Sequence, residues 1–176
     1  MPRTAPQSAG SSTELPCDRL PVVPTGNAFG FLGGTRVIDL TTSVAGPYAT
    51  MLLADFGAEI VKVERPEGDD ARHWGPPFYD GQALWFTAIN RNKKSVVLDL
   101  RSSQGRADLL ALIRSADVVV TNHPPDVQEK LQLGYDDLVK ENPSLIFTSI
   151  TGFGTEGARA HLTCYDLIAE GYSGIM

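Results

Sequence analysis

A guanidinium at the end of an apolar run is the first feature with chemical potential. Arg65 follows Glu59-Ile-Val-Lys-Val-Glu64 and opens the turn Pro66-Glu67-Gly68-Asp69. Its planar fork suits a phosphate, because it donates to two oxygens at once. It would serve equally as the exposed partner of Glu67 or Asp69, a pairing worth about 0–1 kcal/mol. Ser43-Val44-Ala45-Gly46-Pro47 leads into a helical pattern. Backbone N–H groups at such a start attract anions; Gly46 would otherwise serve close packing in a tight turn. The segment is neither GxGxxG nor GxxxxGK[ST], which disfavours a nicotinamide dinucleotide or a P-loop nucleotide.

Three further groups deserve the same two-sided reading. Asn90-Arg91-Asn92-Lys93-Lys94-Ser95 is a basic patch in an acidic chain. It either attracts a polyanion or forms a solvated turn before a strand. Asn122-His123 follows Val118-Val-Val-Thr121. Asn122 either meets a ligand's amide or sugar, or caps its own turn, and His123 is a candidate base. Thr163-Cys164-Tyr165-Asp166 offers a carboxylate whose ordinary role at a helix start is an N-cap, and a thiol without an evident base. His73 and His161 stand alone, with no HxH or HExxH spacing for a metal.

The elements that must position these residues alternate in type. Thr35–Leu40, Glu59–Glu64, Ser95–Asp99, Asp117–Thr121 and Leu145–Ile150 read as strands. Between the first two, Ala49, Leu52, Leu53 and Phe56 form an apolar stripe at helical spacing, with Pro47 in the first turn and Gly57 as the stop. Helices are predicted from Ser102 or Ser103 to Ser115, with Leu109, Leu110 and Ile113 inward, then over Val127–Leu131 and Tyr135–Glu141, and opening at Asp166. Residues 65–85 read as a long loop. Alternation of this kind specifies an α/β fold: a Rossmann-like open, mostly parallel sheet with helices on both faces. Ligands of such folds sit at the carboxyl ends of the strands. That directs attention to the loops after Leu40, Glu64, Leu100, Thr121 and Ile150.

Composition narrows the class. The 176 residues suffice for one core; residues 1–34, rich in Pro, Ser and Gly, read as a flexible extension and 35–176 as the domain. Arg3 and Arg19 would suit a targeting peptide, but Glu14, Asp18 and the prolines argue against one. A net charge of -6 argues against a nucleic-acid binder, and no apolar run is long enough for a membrane span. Cys17 and Cys164 are far apart, so neither a disulfide framework nor a zinc site is expected, and a reducing cytoplasm is the natural setting.

Taken together and in order, these segments resemble the family III CoA-transferases, which include formyl-CoA transferase, carnitine CoA-transferase and α-methylacyl-CoA racemase. The similar stretches are VIDLTTSVAGPYATMLLADFGAEIVKVERPEGDDAR, FTAINRNKKSVVLDLRSSQGRADLLALIRSADVVVTN, LGYDDLVKENPSLIFTSITGFG and YDLIAEGYSG. The resemblance implies a Rossmann-like domain that binds CoA and two interlocked subunits in a homodimer. It implies neither NAD nor a metal. By position in the shared motifs it implies coenzyme contacts at Ser43 and Val44, at Arg65, from Leu98 to Arg101, and at Asn122 and His123. Lys130 stands where an arginine is usual and His123 where a phenylalanine is commoner.

Transfer of CoA between an acyl-CoA thioester and a carboxylic acid is the activity so implied. The resemblance also places the nucleophilic aspartate, which attacks the thioester and releases CoA thiolate from a mixed anhydride, beyond Met176. The expectation is therefore an N-terminal fragment, inactive alone, with no catalytic residue of its own. A non-catalytic CoA-binding partner subunit and an acyl-CoA racemase are the alternatives. Tyr165, where racemases of this group carry histidine, favours the transferase.

Overall fold

The computed structural model describes residues 30–176. The expected flexible extension therefore lies outside the described residues except at its end. There Gly30–Leu32 form a 3-10 turn, and the Leu32 N–H donates to the Phe56 carbonyl.

Five parallel strands form the main sheet: β1 (Arg36–Asp39), β2 (Glu59–Glu64), β5 (Lys93–Val97), β6 (Val118–Thr121) and β7 (Ile146–Ser149). Their order is β5-β2-β1-β6-β7. The chain runs outward from β1 to one edge, then returns to the other side of β1. The switch in direction lies between β1 and β6, where Val37 pairs with Val118 and Asp39 with Val120. The ligand crevice of an open α/β sheet lies at the carboxyl end of such a pair.

Alternate strand residues build two cores, one on each face. Ile38, Val63 and Val119 pack with Leu109 and Ile113 of α3 (Ser103–Arg114) and with Leu133 and Leu138. Val37, Ile60 and Val120 pack with Ala54 near the end of α1 (Ala45–Asp55) and with Ala58 just before β2. Ile38, Leu109 and Ile113 are fully buried, so truncating any of them to alanine should cost about 2–5 kcal/mol. The Ser102 hydroxyl caps α3 by accepting from the Gly105 N–H at 3.0 Å, as its sequence position predicts. Gly105 is obligatory there, since a Cβ would overlap the Asp99 backbone.

Several local expectations need correction. The buried face of α1 is not the predicted stripe. Gly46, Pro47, Thr50, Met51 and Ala54 face inward; of the predicted stripe Leu53 packs at the edge of the core, while Leu52 and Phe56 are exposed. Two contacts rotate the helix: Gly46 lies so close to Thr41 that no side chain fits between them, and the Thr50 hydroxyl reaches Asp39 at 2.7 Å. The third strand begins at Lys93 rather than Ser95 and ends before Asp99.

The predicted loop 65–85 holds structure. It contains a 3-10 turn (Asp70–His73), a hairpin of β3 (Phe78–Tyr79) and β4 (Gln82–Ala83), and the start of α2 (Leu84–Ile89). The hairpin turns on Asp80-Gly81, both with positive φ, the signature of a tight two-residue turn. Helices α4 (Pro125–Leu131) and α5 (Tyr135–Leu138) fall where the spacing predicts, α5 ending three residues early. The N-cap of α6 (Asp166–Ser173) is Tyr165, with Asp166 already inside the first turn.

Candidate functional site at the carboxyl edge of the sheet

Two connected clefts open along the carboxyl ends of the strands. The first, of about 370 Å3, lies over β1 and β2 and reaches toward α4. Arg65, Leu98, Arg101 and His123 line it, with Lys62, Glu64 and Leu131. The second, of about 650 Å3, lies over the switch between β1 and β6. Ser43, Val44, Asn122 and His123 line it, with Trp74, Trp85 and the loop 151–165. Thr42 and His123 border both clefts. Of the eight residues singled out from sequence, seven therefore sit at this edge. Lys130 is exposed on α4 and lines neither cleft.

A buried ion network lies under the first cleft. The Asp39 carboxylate accepts from the Thr41 N–H and hydroxyl, the Thr50 hydroxyl and the Lys93 ammonium, the last at 2.9 Å. Lys93 Nζ also donates to the Pro47 carbonyl and the Asn90 side chain, each at 2.8 Å. Burial pushes the Asp39 carboxyl up, but the Lys93 and Lys62 ammoniums and the two hydroxyls outweigh it and hold the group below its ordinary value. The Lys62 ammonium, itself buried, donates to the Thr41 carbonyl at 2.8 Å and pairs with Asp69 Oδ2 at 2.8 Å. Asp69 Oδ2 has that ion pair and no directed hydrogen bond. Its Oδ1 accepts from the Ser43 and Ala71 N–H groups.

The basic segment 90–95 is in part the solvated turn before a strand, with Arg91 and Asn92 exposed ahead of β5, but Lys93 departs from both readings. Lys93 is buried as the counterion of Asp39, while Arg91 pairs with Asp55 and Lys94 with Glu59. Asp69, read as a surface partner of Arg65, belongs to Lys62. Arg65 instead pairs with Asp70 and donates to the Gly68 carbonyl, with Glu67 3.9 Å away. Its side chain is about half exposed, at 54%, so a ligand anion can compete for it.

Arg72 and Glu64 form a second ionic contact that single-residue reading missed. Arg72 donates from Nε and Nη2 to the two carboxylate oxygens of Glu64 at 2.7 and 2.6 Å, and its guanidinium lies 3.8 Å from the Phe86 ring centre. The Ser95 hydroxyl and the Asp69 N–H complete the shell around Glu64. Burial alone would raise the Glu64 carboxyl; these donors bring it down to about 2. The eight-residue separation of Glu64 and Arg72, across a Gly-containing turn, was the available sign.

The two strands of the switch are tied by Asn122. Its side-chain oxygen accepts from the Thr42 N–H at 2.9 Å and its amide donates to the Thr42 carbonyl at 2.8 Å. It therefore binds a neighbouring loop's backbone, rather than its own turn. The His123 ring lies between the clefts. Burial, then the charges of Arg65 and Lys62, lower its pKa, so the imidazole is neutral near pH 7. Ser43 is held at φ 68°, in the left-handed region. Cys164 packs against Gly152, where no side chain would fit.

Comparison with known proteins agrees with this geometry. The family model described as CoA-transferase family III matches residues 32–176. The chain is 45% identical over 146 residues to succinyl-CoA:glutarate CoA-transferase of Mus musculus, covering 82% of this chain and 34% of that protein. It is 48% identical over 152 residues to succinate–glutarate CoA-transferase of Agrobacterium fabrum, covering 82% and 38%. It is 44% identical over 148 residues to acetyl-CoA:oxalate CoA-transferase of Acetobacter aceti, covering 84% and 38%. The chain thus spans 34–38% of the length of these relatives. Among solved structures, a CAIB/BAIF family protein from Brucella suis superposes with a TM-score of 0.80 at 42% identity, covering 86% of this chain and 40% of that one. A hypothetical protein from Mycobacterium tuberculosis gives 0.76 at 42% identity, covering 82% and 40%. With the switch-point clefts, the open parallel sheet and the matched residues all in agreement, the chain belongs to CoA-transferase family III.

Proposed function

We propose that the two clefts hold one long ligand, coenzyme A in thioester linkage, as part of an enzyme that moves CoA between an acyl-CoA and a carboxylic acid. The observation that carries this reading is their junction at Thr42 and His123. One end is ionic and the other rich in aromatic and small side chains. CoA has the same polarity, with phosphates at one end and an uncharged pantetheine arm at the other. Arg65 and Arg101 supply charge for the phosphates, and Leu98 and Leu131 an apolar wall for the adenine. The arm then passes Thr42 toward Ser43, Val44 and the two tryptophans.

Relatives named for succinate, glutarate and oxalate support carboxylic acids as acceptors. The exposed apolar side chains of α6, Leu167 and Tyr172 among them, support further polypeptide packing there, in keeping with an interlocked homodimer. The assignment is tested by incubating the full-length protein with succinyl-CoA and a panel of carboxylic acids. Transfer makes a new thioester for each one consumed. Accumulation of free CoA without a new thioester, or no interaction with either thioester or CoA, would overturn it.

A further inference from the structure

Residues 41–43 carry no regular hydrogen-bonding partner in the sheet, yet every one of them is held by a side chain from another element. Asp39 takes the Thr41 N–H, Lys62 the Thr41 carbonyl, and Asn122 both backbone groups of Thr42. The last anchor is Asp69, whose Oδ1 accepts from the Ser43 N–H at 3.1 Å. Ser43 is the one residue of the three with positive φ, a conformation that L side chains other than Asn and Asp seldom adopt.

We infer that Asp69 is a positioning residue: it holds Ser43 in the left-handed conformation, so that the Ser43-Val44 turn faces the second cleft in a ligand-ready shape. The inference rests on the CoA reading for its functional consequence, though not for its structural content. Lys62, buried beside it, neutralises Asp69 and fixes its carboxylate. Oδ1 is then aimed at two N–H donors, Ser43 and Ala71, and thereby ties the β1–α1 turn to the turn that carries Arg65 and Asp70. Asp69 itself is buried and lines the first cleft only at its floor. Its influence on the second cleft passes through Ser43. A Ser43 released from this bond would relax toward negative φ and turn its N–H and side chain away from their present direction.

The test compares Asp69→Ala, Asp69→Asn on a Lys62→Met background and the double variant Asp69→Ala/Ser43→Gly in the full-length protein. Backbone hydrogen exchange of residues 42–46 is followed without ligand, and CoA affinity by calorimetry. Asp69→Ala should speed exchange at these amides while the β1 and β6 amides stay protected, and should weaken CoA about 10-fold, the loss of one charge-assisted hydrogen bond. Made together with Lys62→Met, so that its amide nitrogen faces no buried ammonium, Asp69→Asn keeps an acceptor oxygen toward Ser43 and should retain affinity within about 3-fold of Lys62→Met alone, on the same principle. Glycine tolerates positive φ without a steric penalty, so Ser43→Gly should recover about 3-fold of the loss in Asp69→Ala.

Should Asp69→Ala fail to fold around an unpaired Lys62, Lys62→Met/Asp69→Ala removes the buried charge and takes its place. Equal losses for the alanine and asparagine variants, each against its own parent, or no gain from Ser43→Gly, would reduce Asp69 to a stabilising ion-pair partner and overturn the inference. A wild-type protein that does not bind CoA would instead sink the CoA reading, and the exchange data would then decide the role of Asp69 by themselves.

Discussion

The two clefts share a rim but differ in how their walls are made. The first rests on strand ends and a network of buried charges, Asp39, Lys62, Asp69 and Lys93, each with its counterion. The second has Asn122 and Ser43 on one side, and on the other a loop, 151–165, with exposed Leu162 and Tyr165. A rigid ionic floor suits a ligand end that is the same in every reaction. A wall of loop residues suits the end that varies. On the proposed CoA reading, a division of labour within one site would follow from which parts of the chain are locked by buried ion pairs.

Breaking the ionic floor should have the largest effect. Asp39→Ala strands the Lys93 ammonium in the interior, with a loss of about 3–5 kcal/mol, read by urea denaturation. Leu162→Ala in the loop wall should cost under about 1 kcal/mol in the same assay. Similar losses for the two would erase the contrast.

Acid should act on the same floor. Glu64 titrates at about 2 in the folded chain against an ordinary 4.5. Because its folded value is lowered, its contribution is complete above about 4.5 and is lost as the pH falls toward 2. That contribution is on the order of 2–3 kcal/mol. Glu64→Gln should flatten the stability profile across that window, and a profile of unchanged slope would contradict the Arg72–Glu64 account.

Smaller effects are expected on ligand binding. Trp85→Ala, in the second cleft, should change the dependence of affinity on acyl group by about 3- to 10-fold, as loss of one large apolar contact does. It should leave the salt dependence of CoA binding, which reports phosphate contacts, as in the wild type. The smallest effect is on His123. Burial and two neighbouring cations lower its pKa, so phosphates bound beside Arg65 should move it upward, as followed by NMR titration with and without CoA. No movement would place the phosphates elsewhere.

Much of the fold was legible in the sequence because apolar runs alternate with helical spacing over the whole domain. What escaped was decided by tertiary contacts. The stripe Ala49, Leu52, Leu53 and Phe56 has the right period, yet α1 turns its Gly46–Thr50 face inward, since a close approach to Thr41 and a bond to Asp39 decide its rotation. Lys93 and Lys94 look like solvent-exposed charge, and only the partner at Asp39, far away in the chain, reveals that Lys93 is interior. The Asp80-Gly81 turn, by contrast, was a local signal for a hairpin within the region read as loop. Arg65, Asn122 and His123 could be gathered from sequence because they follow strands that end at one edge, whereas Leu98 and Arg101 came only from the family resemblance.

Calorimetric titration of CoA into the wild-type protein and into Arg65→Ala decides whether the first cleft grips the phosphates. CoA should bind the wild type saturably. Binding to the variant should be about 10-fold weaker and less steeply dependent on salt, as expected when one phosphate contact is lost. Equal affinity and equal salt dependence in the two proteins would show that the first cleft does not grip the phosphates.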